Sequence, residues 1–174
     1  VPKDRLVEVY ASEEFWNRER KAVEQVLAGT KVQPEILADF VFEYVSDTKT
    51  PQGILCLVRQ KQYSITEIVK EKGGELPLLL VLDQIQDPGN LGTIIRIADW
   101  FGIHTILASE DSVEAYNPKV IQSTMGSFIR VKVGYGNLAN LLTDVGIPIF
   151  GALLEGDSVY NQATIQEGVL LIGN

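Results

Sequence analysis

The sequence has one cysteine, one histidine and one methionine among 174 residues. A lone thiol, Cys56, excludes a disulfide framework, and without paired Cys or His residues a zinc-type ligand set has no basis. No metal site is expected. His104, standing alone at the start of a strand, reads as a satisfied strand-edge residue. Long apolar runs are also missing: Pro77 to Leu82 (PLLLVL) is far short of the roughly 20 residues that span a bilayer. No charged-then-apolar leader is present, so the expectation is a soluble, cytoplasmic protein with no membrane partner.

Cations are scarce. Lys and Arg number 15 against 23 Asp and Glu, a net charge of −8 that at first argues against nucleic acid. The deficit is uneven. Residues 1–72 hold 11 cations and 12 anions, whereas residues 73–174 hold 4 and 11. A partner-facing first part and a merely solvated one fit that asymmetry equally. With 45% hydrophobic residues the chain has enough apolar surface for a real core, as one domain or two small ones.

Leu6 to Tyr10 reads as a strand. Ser12 is an N-cap with Glu13 and Glu14 in the following turn, and the helix runs to Leu27 with Gly29 as its stop. Phe15 and Trp16 fall on its core face. Pro34 to Phe40 reads as a short helix, and Ile54 to Val58 as a buried strand that hides Cys56. From Leu76 strands alternate with helices: strands at 78–82, 104–108, 129–133, 147–153 and 169–172, helices at 91–101, 118–124 and 138–145. That alternation predicts an α/β fold, a parallel sheet with helices on both faces. The organisation expected is a first domain over 1–62, a linker over 63–73 ending near Gly73-Gly74, and a second domain over 74–174.

The most informative stretch is DQIQDPGNLGTIIRIADWFG, residues 83–102. A buried strand feeds a loop that opens directly into a helix, the place where open α/β sheets carry their sites. Asn90 reads as the N-cap, beside amides suited to an anion, and Gly92 leaves the first turn bare. Arg96 reads on spacing alone as a surface partner of Asp99 at i,i+3. Asp83 reads as a strand-ending residue bonded to local amides. Ser123 and Ser127 lack a His partner and are poor nucleophiles. Trp100, on the Arg96 face, suits either a core or a contact between subunits.

This stretch resembles the first motif of the SpoU/TrmH branch of the SPOUT methyltransferases. Asn117-Pro118-Lys119 followed by Ser123-Thr124-Met125-Gly126-Ser127 is similar to that family's next segment, and Leu170 to Asn174 to the opening of its second motif. The continuation of that motif and the whole third motif do not appear in these residues, so a domain incomplete at its carboxyl end is expected. Residues 1–60 resemble the small ribosomal-protein-like domain that often precedes the catalytic one.

The resemblance implies transfer of a methyl group from S-adenosylmethionine to an RNA ribose 2′-hydroxyl, in rRNA or tRNA. It also implies the trefoil-knot SPOUT fold and a homodimer. By position Arg96 is implied as the residue acting on the hydroxyl and Asn90 as a holder of catalytic geometry. Gly173, Leu153 and Ala152 are implied at the cofactor, and Arg59, Lys49 and Lys119 at the RNA. The alternative is a non-catalytic RNA-binding or dimer-partner protein with the same fold.

Overall fold

The computed structural model describes residues 3–65, 67, 78–143, 145–161 and 167–173. The chain divides into two compact units, Val1–Lys61 and Gln62–Asn174. No helix among the described residues is long and apolar enough to cross a membrane.

The first unit runs β1 (Leu6–Ser12), α1 (Glu13–Leu27), β2 (Pro34–Leu37), α2 (Asp39–Val45) and β3 (Ile54–Val58). Its sheet has the order β2-β1-β3, with β2 parallel and β3 antiparallel to β1. Ser12 closes β1 and caps α1, its Oγ accepting from the Phe15 amide at 3.2 Å. Gly29 turns the chain out of the helix with φ +83°. Val9, Val23 and Leu27 form the core, with Phe15 and Trp16 packed against it as expected.

Two expectations are corrected here. Pro34–Leu37 is a strand because Ile36 and Leu37 pair with Ala11 and Ser12, and a proline is tolerated as the first residue of an edge strand. The helix begins only at Asp39. β3 is an edge strand, and most of it is exposed, Cys56 included. The Cys56 thiol lines an apolar hollow of about 520 Å³ beside α1, and partial burial there pushes its pKa up.

The second unit is a six-stranded sheet of order β4-β7-β6-β5-β9-β8, in which every pairing is parallel. Its strands are β4 (Tyr63–Ser64), β5 (Leu78–Asp83), β6 (Thr105–Ala108), β7 (Lys132–Tyr135), β8 (Ile149–Gly151) and β9 (Gly168–Gly173). Its fully described helices are α3 (Pro88–Trp100), α4 (Pro118–Thr124) and α5 (Leu138–Thr143). β5 lies inside the sheet, so its apolar run is covered on both sides. Leu80 and Leu82 join a core with Leu91, Ile95 and Ala98 of α3, while Leu79 and Val81 join Leu138 of α5 on the opposite face. The parallel sheet with helices on both faces is the architecture read from the sequence.

Several boundaries differ from expectation. Tyr63 and Ser64 are not linker: they form β4, paired with Gly134 and Tyr135. The remainder of 63–73, apart from Ile65 and Glu67, lies outside the described residues. The strand read at 129–133 is instead a 3-10 turn, Ser127–Ile129, followed by β7. Met125 (φ 49°) and Gly126 (φ 92°) are both left-handed and reverse the chain before that turn. Gly92 is buried between helices and does not face a loop. A Cβ there would overlap the Ser123 side chain and stand 3.1 Å from the Val120 carbonyl oxygen, so glycine sets the distance between α3 and α4.

Candidate active site

In a parallel sheet, sites lie beyond the carboxyl ends of the strands where the strand order reverses. Here the chain builds outward from β5 through β6 to β7, then crosses to β8 and returns to place β9 against β5. The reversal therefore falls between β5 and β9, at the pair Asp83 and Gly173.

Three small residues surround that point. Gly151 pairs with Leu171, the Ala152 amide donates to the Leu171 carbonyl at 2.9 Å, and Gly173 leaves only the Asp83 carbonyl, 3.9 Å from where a Cβ would stand. Leu153 follows as an exposed apolar side chain. Of the residues the resemblance implies at the cofactor, Gly173 ends β9 at the reversal, and Ala152 and Leu153 follow the neighbouring β8. Asp83 is exposed on the rim of a hollow of about 550 Å³, shared with Ser109, Glu110 and Asn137. Its side chain makes no hydrogen bond among the described residues, so the strand-ending role expected for it is not seen.

The loop after Asp83 is held by a pair of serines that sequence reasoning missed. Gln84 takes a left-handed φ of 53°, and its amide donates to Ser109 Oγ at 2.8 Å. The Ile85 amide donates to Ser112 Oγ at 3.1 Å, and the two hydroxyls lie 3.0 Å apart. Tyr135 ties the same region to β7, its hydroxyl donating to the Val113 carbonyl and accepting from the Ala115 amide, both at 2.8 Å. Burial, with Glu114 nearby, raises the phenol pKa and keeps the hydroxyl protonated as that donor. The only sequence signal was two serines three residues apart after a strand.

α3 then starts one turn earlier than expected. Asp87, not Asn90, is the N-cap: its Oδ1 accepts from the Asn90 amide at 2.7 Å, and Pro88 occupies the first helical position. Asn90 is exposed, and its side chain has no partner among the described residues. Arg96 lies six residues on, about 9 Å along the axis and about 240° around it from Asn90, so the two do not share a face.

Arg96 is exposed and lines a groove of about 460 Å³ with Thr93, Ile97, Trp100, Phe101 and Met125. Trp100 is 86%, Met125 79% and Phe101 72% exposed. Among the described residues none lines both this groove and the Asp83 hollow. The Arg96–Asp99 pair read from spacing is absent: Asp99 is bound by Arg130 at 2.6 Å, and Arg96 makes no ion pair or hydrogen bond among the described residues. Lys49 and Arg59 are exposed in the first unit, and Lys119 is exposed on α4 in the second.

Arg130, together with the Ser127 hydroxyl, holds the Asp99 carboxyl below its ordinary range. A lowered carboxyl pKa adds stability that is complete above the unfolded value of about 4 and disappears as pH falls through the folded value. Acid titration followed by near-ultraviolet circular dichroism is expected to show Asp99→Asn losing less stability than wild type between neutral pH and pH 3. An identical loss in both would remove Asp99 from the acid transition.

A wholly parallel sheet with helices on both faces and an order reversal beside β5 defines a doubly wound α/β domain. Residues 77–174 match the SpoU rRNA Methylase family, and the chain belongs to that family. It is 30% identical over 149 residues to the Bacillus subtilis 23S rRNA (guanosine(2553)-2′-O)-methyltransferase RlmP, covering 83% of this chain and 57% of that protein. It is 38% identical over 89 residues to human mitochondrial rRNA methyltransferase 3, covering 51% of this chain and 21% of that protein. Among solved structures, a TrmH-family protein of Porphyromonas gingivalis superposes with a TM-score of 0.72 at 26% identity, covering 97% of this chain and 65% of that one. The SpoU methyltransferase AviRb of Streptomyces viridochromogenes, with bound AdoMet, superposes at 0.74 and 22% identity, covering 97% and 66%. The chain therefore spans just over half the length of RlmP and about a fifth of the human relative.

Proposed function

We propose that the protein carrying this chain transfers a methyl group from S-adenosylmethionine to a ribose 2′-hydroxyl of ribosomal RNA. The observation that carries this reading is Arg96, a guanidinium with no partner among the described residues, in an open groove on the helix that follows the central strand. Membership of the SpoU family and the names of its rRNA-methylating relatives support the reaction class and the substrate.

The chain ends of β8 and β9 fit an adenosyl group. Gly151, Ala152 and Gly173 leave backbone edges uncovered, and Leu153 offers an apolar wall. When bound, S-adenosylmethionine supplies an electrophilic methyl on a sulfonium. The chain's own contribution is placement of the hydroxyl and removal of its proton. Arg96 is a poor base, since an arginine pKa exceeds about 12. Its fork of donors instead suits holding the ribose oxygen and an adjacent phosphate, with the proton passing to that phosphate or to water. Lys49, Arg59 and Lys119 are exposed cations available to the RNA backbone, contacts that carry affinity and no sequence information.

The protein is proposed to act as a homodimer. Trp100, Phe101, Ile97 and Met125 expose apolar area around Arg96, as a subunit contact requires. A second copy would also bring its strand-end loops to a groove that, among the described residues, shares no lining residue with the Asp83 hollow. Sedimentation velocity is expected to give twice the chain mass for wild type and the single mass for Trp100→Lys. A wild-type protein that sediments as a monomer at micromolar concentration contradicts the dimer.

Incubating the whole protein with methyl-labelled cofactor and unmodified ribosomal RNA tests the reaction. Label recovered on a ribose oxygen supports it. Label recovered on a base, or none at all, refutes it, and RNA binding without transfer would leave the non-catalytic alternative.

A further inference from the structure

Arg96 and Asp99 stand three residues apart on α3, a spacing at which helical acids and bases pair. They do not pair among the described residues, where Asp99 is bound by Arg130 instead. Arg130 Nε reaches its two carboxylate oxygens at 2.9 and 3.0 Å, and Arg130 Nη2 reaches Oδ2 at 2.6 Å. The Ser127 hydroxyl lies beside the same carboxylate and helps hold its pKa down. Both carboxylate oxygens are thus already held by the Arg130 fork, which competes with Arg96 for them. The Asp99 side chain is only 15% exposed. Both partners come from the turn after α4, where left-handed Met125 and Gly126 swing the chain back and the Arg130 amide closes on the Ser127 carbonyl at 2.9 Å.

We propose that Arg130 is a positioning residue: by occupying Asp99 it keeps the Arg96 guanidinium unpaired and available to the RNA ribose and phosphate. This rests on the reading of Arg96 given above. Without the Arg130 charge, a largely covered carboxylate is left without its partner, and the cation nearest along α3 is Arg96. Capture of Arg96 would occupy its donors and cancel its charge.

The test compares methyl transfer by the whole protein and by its Arg130→Gln, Asp99→Asn and doubly substituted forms, with melting curves for each. Arg130→Gln is expected to lower kcat about tenfold without changing cofactor affinity, equivalent to about 1.4 kcal/mol. Asp99→Asn removes the competing charge and is expected to stay within about twofold of wild type. The double variant is expected to recover to within about threefold, since no carboxylate remains to capture Arg96. Arg130→Lys, which retains a charge at Asp99, is expected to fall between wild type and Arg130→Gln. Equal losses in Arg130→Gln and Asp99→Asn, or no recovery in the double variant, would make the pair a structural brace and overturn the proposal. If Arg130→Gln does not fold, the Asp99→Asn rate decides, because a brace predicts loss and the proposal predicts retention. Arg96→Ala separates the two levels: activity without Arg96 defeats the underlying reading, whereas loss in Arg96→Ala with full activity in Arg130→Gln defeats this inference alone.

Discussion

Arg96→Ala is expected to reduce methyl transfer to less than about a tenth of the wild-type rate while leaving the thermal transition nearly unchanged. The two halves follow from different observations. Arg96 is exposed and has no partner among the described residues, so its removal breaks no folded-state contact. Surface substitutions of that kind stay within about 0.5 kcal/mol. A charge-assisted hydrogen bond to phosphate or ribose is worth about 1.5–3 kcal/mol, which is tenfold or more in rate where it acts in the transition state. Arg96→Lys separates the roles within that loss. Lysine keeps a point charge for phosphate and loses the planar fork, so partial activity is expected. An alanine variant retaining more than about a tenth of the activity would reduce Arg96 to an ordinary surface residue.

Gly92→Ala is expected to destabilise the second unit by about 1–3 kcal/mol, although alanine is the better helix former. The propensity gain at an interior helical position is about 1 kcal/mol at most. Against it stands a Cβ that overlaps the Ser123 side chain and lies 3.1 Å from both the Ser123 carbonyl carbon and the Val120 carbonyl oxygen. Two of those three neighbours are backbone and cannot rotate away, so α3 and α4 must separate. Overpacking therefore wins. Chemical denaturation is the measurement, and a midpoint equal to or above wild type would show that the two helices move apart freely. Because the Arg96 groove includes Thr124 and Met125 at the end of α4, activity is expected to fall together with stability.

The parts of this fold that are local in sequence were legible without coordinates. The run at residues 78–82 reads as a strand covered on both faces because nothing polar interrupts it, and it lies inside the sheet. Asn117, Pro118 and the helix after them are signalled by a cap and a proline in the first turn, and the structure agrees. The same rule applied to Pro88 would have named Asp87 as the cap in place of Asn90.

What was not legible depends on partners far along the chain. Helical spacing assigns Asp99 to Arg96, whereas a reversal through Met125 and Gly126 brings Arg130 from 31 residues away to take it. Ser109 and Ser112 bond to amides 25 and 27 residues earlier, so their role as the clasp on the loop after β5 has no local signature. Pro34–Leu37 became a strand because β1 offered it an edge, and Cys56 is exposed because β3 lies at the margin of its sheet. Of the residues read as the site, Gly173 ends β9 at the reversal of strand order and Ala152 follows the neighbouring β8. Asn90 and Arg96, both assigned to the catalytic chemistry, are on different faces of one helix.

The most direct measurement is mass mapping of ribose 2′-O-methylation in total RNA from cells making the whole protein, its Arg96→Ala form, or neither. One ribosomal ribose is expected to carry a methyl group only with the wild-type protein. A map that is the same in all three would contradict the central claim.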